Sequence, residues 1–218
     1  MILEKETVKK LYSEIDLRLL RDEAPAEFLN SISMLPEFKA FPFNMLLDLK
    51  KTEQSPVHHP EGNVWNHTML VINEAAKRRD QSAHPRAFMW AALLHDIGKP
   101  STTRERKGRI TAYNHDVKGA ALSREFLSVF EEDEDFINRV VSLVRYHMQI
   151  LYVVKDMPFK DIAGIRGNSD VAEIALLGLC DRLGRTGVHS DFEEEQIKMF
   201  IQKCNDYKEG EKQWQRPE

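Results

Sequence analysis

The chain has 218 residues, a formal net charge of −4, 42% hydrophobic residues and only two cysteines, Cys180 and Cys204. That length suits one sizeable domain without a disulfide framework, and both cysteines read as small buried hydrophobes. No apolar run reaches membrane-span length and no signal-peptide layout opens the chain, so a soluble, cytoplasmic protein is expected. The acidic balance excludes a broad coat for duplex DNA but leaves room for a small phosphorylated substrate.

Charged and apolar residues mix at helical spacing almost throughout, which predicts an all-α fold. Residues 4–21 read as an amphipathic helix with Val8, Leu11, Ile15 and Leu19 on one face. Pro25 opens a short helix through Ile32, and another runs from about Phe41 to Lys51. Prolines at 25, 36, 42, 56 and 60 punctuate this region, so residues 1–41 are expected to be a helical lead-in or cap to a main domain of residues 42–207. A loop over 54–63 precedes a helix over 64–79 with Val64, His67, Leu70, Val71 and Ala75 as its buried stripe. Next comes the apolar run from Phe88 to Leu94, followed by His95-Asp96 and a stop at Gly98 and Pro100. His95 shares a face with Phe88, Ala91 and Ala92, and Asp96 one with Met89, Ala92 and Leu93. An unpaired charge on such a face costs several kcal/mol, and a divalent cation is the simplest partner for both groups.

Thr102–Arg106, a Lys107-Gly108 turn and Arg109–Tyr113 predict a small β-hairpin with four basic residues, either a solvated ribbon or a rim that attracts phosphate. His115 then starts a helix to about Phe130, with Gly119 and Ala120 allowing close packing. The acidic run 131–135 reads as a solvated turn favouring the next helix N-terminus. That helix, from Phe136 to about Gln149, lines up Val140, Leu143, Val144 and His147. Residues 156–168 are expected to form a loop with one helical turn. Ser169-Asp170 caps a helix in which Ile174, Leu177, Gly178 and Asp181 share a face. The closing helix, 191–207, carries Phe192, Ile197, Phe200 and Ile201, and 208–218 reads as a disordered polar tail.

His67, His95, Asp96, His147 and Asp181 thus lie on buried faces of four helices, with His115 at the mouth of a fifth. Helical bundles build metal sites from such inward-facing side chains, and a nitrogen and oxygen donor set suits Mn, Fe, Co, Ni or Zn, with Mg²⁺ also admitted. No cysteine stands at ligand spacing, which argues against a thiolate zinc site. His58, His59, His84 and His189 fall in loops or at helix edges and are left out of this set.

The order His…His-Asp…Asp, carried by His67, His95-Asp96 and Asp181, resembles the HD superfamily of metal-dependent phosphohydrolases. The segments HPEGNVWNHTMLV (59–71), ALLHDIGKPSTT (92–103), GRITAYNHDVKGA (108–120) and CDRLGRTG (180–187) are similar to the HD domain of bacterial CCA-adding tRNA nucleotidyltransferases. The resemblance implies an HD helical bundle in which His67, His95, Asp96 and Asp181 hold one metal. His115 and His147 would help to hold a second, with Asp96 bridging. It further implies attack on phosphorus by a metal-activated water, with Asp96 at the reacting centre. Lys99 is the first choice for substrate phosphate, Arg185 the second, and Arg109 of the basic hairpin a third. Substrates would be 2′,3′-cyclic nucleotides, 2′-nucleotides or RNA 3′ ends. Nucleoside polyphosphates such as diadenosine tetraphosphate or dNTPs, a non-catalytic metal- or nucleotide-binding module, and dioxygen chemistry at a di-iron site are the alternatives. Nothing resembles the nucleotidyltransferase head with its Gly-rich loop and paired aspartates, so CCA addition is not expected. Asn114 stands where those domains often have glycine.

Overall fold

The computed structural model describes residues 2–208. Residues 209–218, where the polar tail was expected, lie outside the described part. The fold is all-α with one small antiparallel hairpin. Its helices are α1 (Ile2–Arg21), α2 (Pro25–Ile32), α3 (Asn44–Leu47), α4 (Val64–Ala76), α5 (Pro85–Leu94), α6 (Lys99–Thr102), α7 (His115–Ser128), α8 (Glu134–Tyr146), α9 (Gln149–Val154), α10 (Ile162–Asn168), α11 (Val171–Leu183) and α12 (Ser190–Asp206). Strands β1 (Arg104–Arg106) and β2 (Arg109–Thr111) pair Arg104 with Thr111 and Arg106 with Arg109. Lys107 (φ 52°) and Gly108 (φ 70°) both adopt left-handed backbone in the two-residue turn, the geometry that matches strand twist. Among the described residues no helix is long and apolar enough to cross a membrane.

Helix α5 is the axle. Every residue from Ala87 to Leu94 is buried, so it is apolar all round rather than amphipathic, and α1, α4, α8 and α11 pack around it. Trp90 is fully buried, and its indole N–H donates to Asp16 Oδ1 at 2.7 Å, which ties α1 to the axle. Tyr12 stacks between Trp90 and Phe130, with centroid distances of 4.6 and 3.8 Å. Val8, Ile15 and Leu19 join one continuous core with the remaining helices. Helices α1 and α2 therefore pack against α5 and α4.

Several expectations need correction. Leu70 is exposed, because it shares the outward face of α4 with Asn66 and Glu74, four residues to either side; Thr68 and Ile72 are buried instead. The 41–51 helix breaks into α3 and a 3₁₀ turn over Asp48–Lys51. Helix α5 ends at Leu94, and Pro100 stands in the first turn of α6, where its missing N–H costs nothing. The expected 136–149 helix ends at Tyr146, and a separate helix, α9, begins at Gln149. The acidic turn is not merely solvated: Glu131 pairs with Lys9 and Glu132 with Arg86, while Asp133 caps α8. Phe192 is 60% exposed at the first turn of α12, whereas Ile197 and Phe200 are buried as expected. Both cysteines are buried thiols, with burial pushing each up to about 12.

Candidate metal centre

The C-terminal ends of α5 and α8, the N-terminus of α7, and the inward faces of α4 and α11 meet at one buried point. His67 comes from α4, His95 and Asp96 from the turn after α5, His115 from the first residue of α7, His147 from the residue after α8, and Asp181 from α11. All six side chains are buried. Gly98 allows the convergence: a Cβ there would sit 2.1 Å from the His115 carbonyl oxygen and 2.6 Å from Gly119 N, so only glycine lets α7 approach this closely.

The carboxylate of Asp96 divides the site. Its Oδ2 lies 3.2 Å from His95 Nε2 and 4.0 Å from His67 Nε2, while its Oδ1 lies 3.5 Å from His115 Nε2 and 3.9 Å from His147 Nε2. His67, His95 and Asp96 form one triad of donors within cation reach of one another, and Asp96, His115 and His147 form a second. Asp181 stands beside the first, with its Oδ1 3.0 Å from His67 Nε2.

Hydrogen bonds set the ring tautomers. His95, His115 and His147 each turn Nδ1 towards the carbonyl three residues back, Ala92 at 2.9 Å, Ala112 at 2.7 Å and Val144 at 2.7 Å. A proton on each Nδ1 leaves every Nε2 with a bare lone pair aimed at the centre. The His115 and His147 Nε2 atoms are 3.2 Å apart. His95 Nε2 is buried without a hydrogen-bond partner. Burial holds the His115 ring below its usual pKa against the pull of Asp96, and burial followed by the nearby His115 and His95 pushes His147 down to about 4. Neutral rings with lone pairs facing one another and a carboxylate are repulsive, and a cation turns each repulsion into a bond. The residues therefore fit one or two divalent cations.

The carboxylates are poised to remain ionised. Burial works to raise the Asp96 pKa but is outweighed by His95 and Lys99, which hold it well below the usual range; for Asp181, Arg185 and His67 likewise outweigh burial. Lys99 Nζ forms an ion pair with Asp96 Oδ2 at 2.7 Å and donates a hydrogen bond to Gln54 Oε1 at 2.6 Å. Arg185 Nη2 lies 3.3 Å from both Asp181 oxygens. Both cations line a cavity of about 700 Å³ that opens onto Asp96, His115, His147 and Asp181. Arg109 is placed apart: it is exposed beside the hairpin turn and absent from the cavity wall, which the chain meets only from Ile110 onward.

Glu61, which sequence reasoning did not single out, and His59, which it left out as a loop histidine, stand next to the centre. Glu61 Oε1 is 2.9 Å from His67 Nδ1 and 2.9 Å from His59 Nδ1. Burial raises the Glu61 pKa, yet His67, its own backbone and His59 bring it down to about 2. The only signal for them was their place in the HPEG run just ahead of α4, in a loop too irregular for periodicity to read.

The model of the HD domain family matches residues 64–183, more than half of the chain, with His67, His95-Asp96 and Asp181 inside the match. The chain belongs to the HD domain family. HD domains are, as a family, metal-dependent phosphohydrolases, and this HD domain places its buried His and Asp groups accordingly. It is similar to the Multifunctional CCA protein of Actinobacillus pleuropneumoniae serotype 5b, 34% identical over 105 residues, covering 48% of this chain and 24% of that protein. The protein of that name from Pseudomonas fluorescens Pf0-1 is 28% identical over 152 residues, covering 66% of this chain and 34% of its own length. The match to that from Azoarcus sp. BH72 is 29% over 142 residues, covering 62% and 32%. This HD domain chain thus spans about a quarter to a third of those relatives' length.

Proposed function

We propose that this chain is a metal-dependent phosphohydrolase that cleaves phosphoesters of nucleotides or RNA ends, of the 2′,3′-cyclic phosphodiesterase and phosphatase type. The observation that carries this reading is the division of Asp96 between two buried donor triads at the floor of one cavity. Its partners would be a small phosphorylated substrate or an RNA 3′ end, in the cytoplasm, without membrane or duplex DNA.

His67, His95, Asp96 and Asp181 would hold one divalent cation, and Asp96, His115 and His147 a second. Such ions supply Lewis acidity that lowers the pKa of water towards neutrality and draws charge from phosphoryl oxygens. The protein's own part is positional. The carbonyls of Ala92, Ala112 and Val144 keep protons on the far side of three rings, so no proton need leave before a ligand bond forms. Lys99 and Arg185 are held against the carboxylates and would turn to the substrate phosphate once carboxylate charge is shared with a cation. Tyr113, Tyr152, Phe159 and Phe192 in the cavity wall offer aromatic faces suited to a nucleobase. The similarity to Multifunctional CCA proteins favours nucleotide or RNA-end substrates over other phosphoesters.

The test is elemental analysis combined with hydrolysis of bis-p-nitrophenyl phosphate and 2′,3′-cAMP after metal stripping and repletion. Two equivalents of transition metal with restored turnover of both esters are expected. Bound metal with no turnover of either would overturn the phosphodiesterase reading in favour of a polyphosphate substrate or a binding module.

A further inference from the structure

The loop ahead of α4 places a carboxylate behind a metal ligand. Glu61 is almost wholly buried, its side chain 3% exposed, and its Oε1 stands 2.9 Å from His67 Nδ1, although the pair is not aligned as a hydrogen bond. Without a cation His67 Nε2 is hydrogen-bonded to Asp181 Oδ1 at 3.0 Å. A cation that takes Nε2 displaces that proton, and a bare Nδ1 lone pair 2.9 Å from a carboxylate is repulsive, so in the metal-bound ring the proton belongs on Nδ1. The same Oε1 lies 2.9 Å from His59 Nδ1, and the His59 and His67 rings meet edge to face at 4.7 Å. His59 also lines the cavity, so the nitrogen left to it for a ligand is Nε2.

We propose that Glu61 is a positioning residue of the centre, fixing the Nδ1–H form of His67 for the cation and of His59 for whatever enters the cavity. This rests on the metal site read above but not on the identity of its substrate. Local hydrogen bonds hold Glu61 in place: its main-chain carbonyl accepts from Asn66 Nδ2 at 3.0 Å, and Asn63 caps α4 by accepting from Asn66 N at 2.9 Å. The turn that starts α4 thus also sets the carboxylate behind His67, one turn into the helix. The triad that His59, Glu61 and His67 themselves form is the competing arrangement, with Glu61 as a direct ligand. The need of His67 Nε2 to face Asp181 and Asp96 speaks against it, since a ring ligating through Nδ1 would abandon that side.

The experiment compares Zn²⁺ affinity, by competition with a chromophoric chelator, for the full chain and for Glu61→Ala, Glu61→Gln and His59→Ala. Long-range ¹H–¹⁵N spectra of histidine-labelled, Zn²⁺-loaded protein read the tautomers directly. Expected are a 10- to 100-fold loss of affinity in Glu61→Ala, recovery of most of it in Glu61→Gln, whose amide oxygen still accepts from Nδ1, and little change in His59→Ala. His67 in the spectra should ligate through Nε2 with its proton on Nδ1. Wild-type affinity in a folded Glu61→Ala, or His67 bound through Nδ1, would overturn the inference. So would loss of a whole metal equivalent in His59→Ala, which would make the outer triad a metal site. Should Glu61→Ala not fold, Glu61→Gln and the wild-type spectra decide alone. A wild-type chain that binds no Zn²⁺ sinks both this inference and the proposed function, whereas binding indifferent to Glu61 sinks this inference only.

Discussion

The rings of His115 and His147 meet nitrogen to nitrogen, Nε2 to Nε2 at 3.2 Å, although each ring already offers its other nitrogen to a main-chain carbonyl. Any neutral arrangement of protons leaves one lone pair facing either the other ring or a carbonyl oxygen. A cation between them removes the conflict. His147→Ala is therefore expected to bind one metal equivalent fewer while keeping the ion at His67, His95, Asp96 and Asp181. Turnover should fall by at least about 100-fold. Unchanged stoichiometry by elemental analysis would contradict two separate ions.

Lys99 makes the opposite contribution. Its ammonium lies on Asp96 Oδ2, the oxygen that faces the first triad, so it competes with a cation for the same charge. Lys99→Met is expected to tighten metal binding several-fold and to raise KM by about tenfold, as one charge-assisted hydrogen bond to phosphate is lost. Metal titration and steady-state kinetics on one preparation separate the two effects. A variant unchanged in both would remove Lys99 from the site.

Gly98 tests the packing beneath the centre. A methyl group there meets the main chain of His115 and Gly119, which cannot move as a flexible side chain could. Gly98→Ala should cost about 3 kcal/mol of stability by overpacking and should weaken the second metal site before the first, because α7 carries only His115. Denaturant melts of the metal-free protein, paired with metal titration, check both parts.

Acid should loosen the N-terminal helix. Arg86 bonds Glu132 at 2.7 and 2.8 Å and Asp16 at 2.8 Å, joining α5 to the turn before α8 and to α1. The hydrogen bond from Arg86, larger than the opposing effect of burial, holds Glu132 below its ordinary pKa. A depressed folded pKa means stability that is fully present above the unfolded value of about 4.3 and lost as pH falls through the folded one. Allowing for partial exposure, the contribution is about 1–2 kcal/mol. Thermal melts of wild type and Glu132→Gln should differ by that much at pH 7 and converge as pH falls below the unfolded value of about 4.3; parallel curves would show that Glu132 contributes nothing.

Helical periodicity was enough to read the class of the fold and most of its elements, since α2 begins and ends at Pro25 and Ile32 as expected and α11 is capped by Asp170. It also picked out His67, His95, Asp96, His147 and Asp181, because a polar group on an apolar stripe is visible in one dimension. Leu70 and Phe192 were misread for the same reason that the others were found: a stripe's edge depends on what packs against it, not on spacing alone. His59 was set aside as a loop histidine and Glu61 was not singled out, because an irregular loop has no period to violate.

The sequence by itself determined that buried faces would carry imidazoles and carboxylates, which cannot remain there unpaired. Only the tertiary structure decided how they are shared. It put the two oxygens of Asp96 against two different pairs of histidines, turned Lys99 onto one of them, and left Arg109 outside on the hairpin. Those choices rest on where α5, α7 and α8 end relative to one another, and that is fixed by contacts such as Gly98 against His115, between residues 17 positions apart, which helical periodicity does not encode.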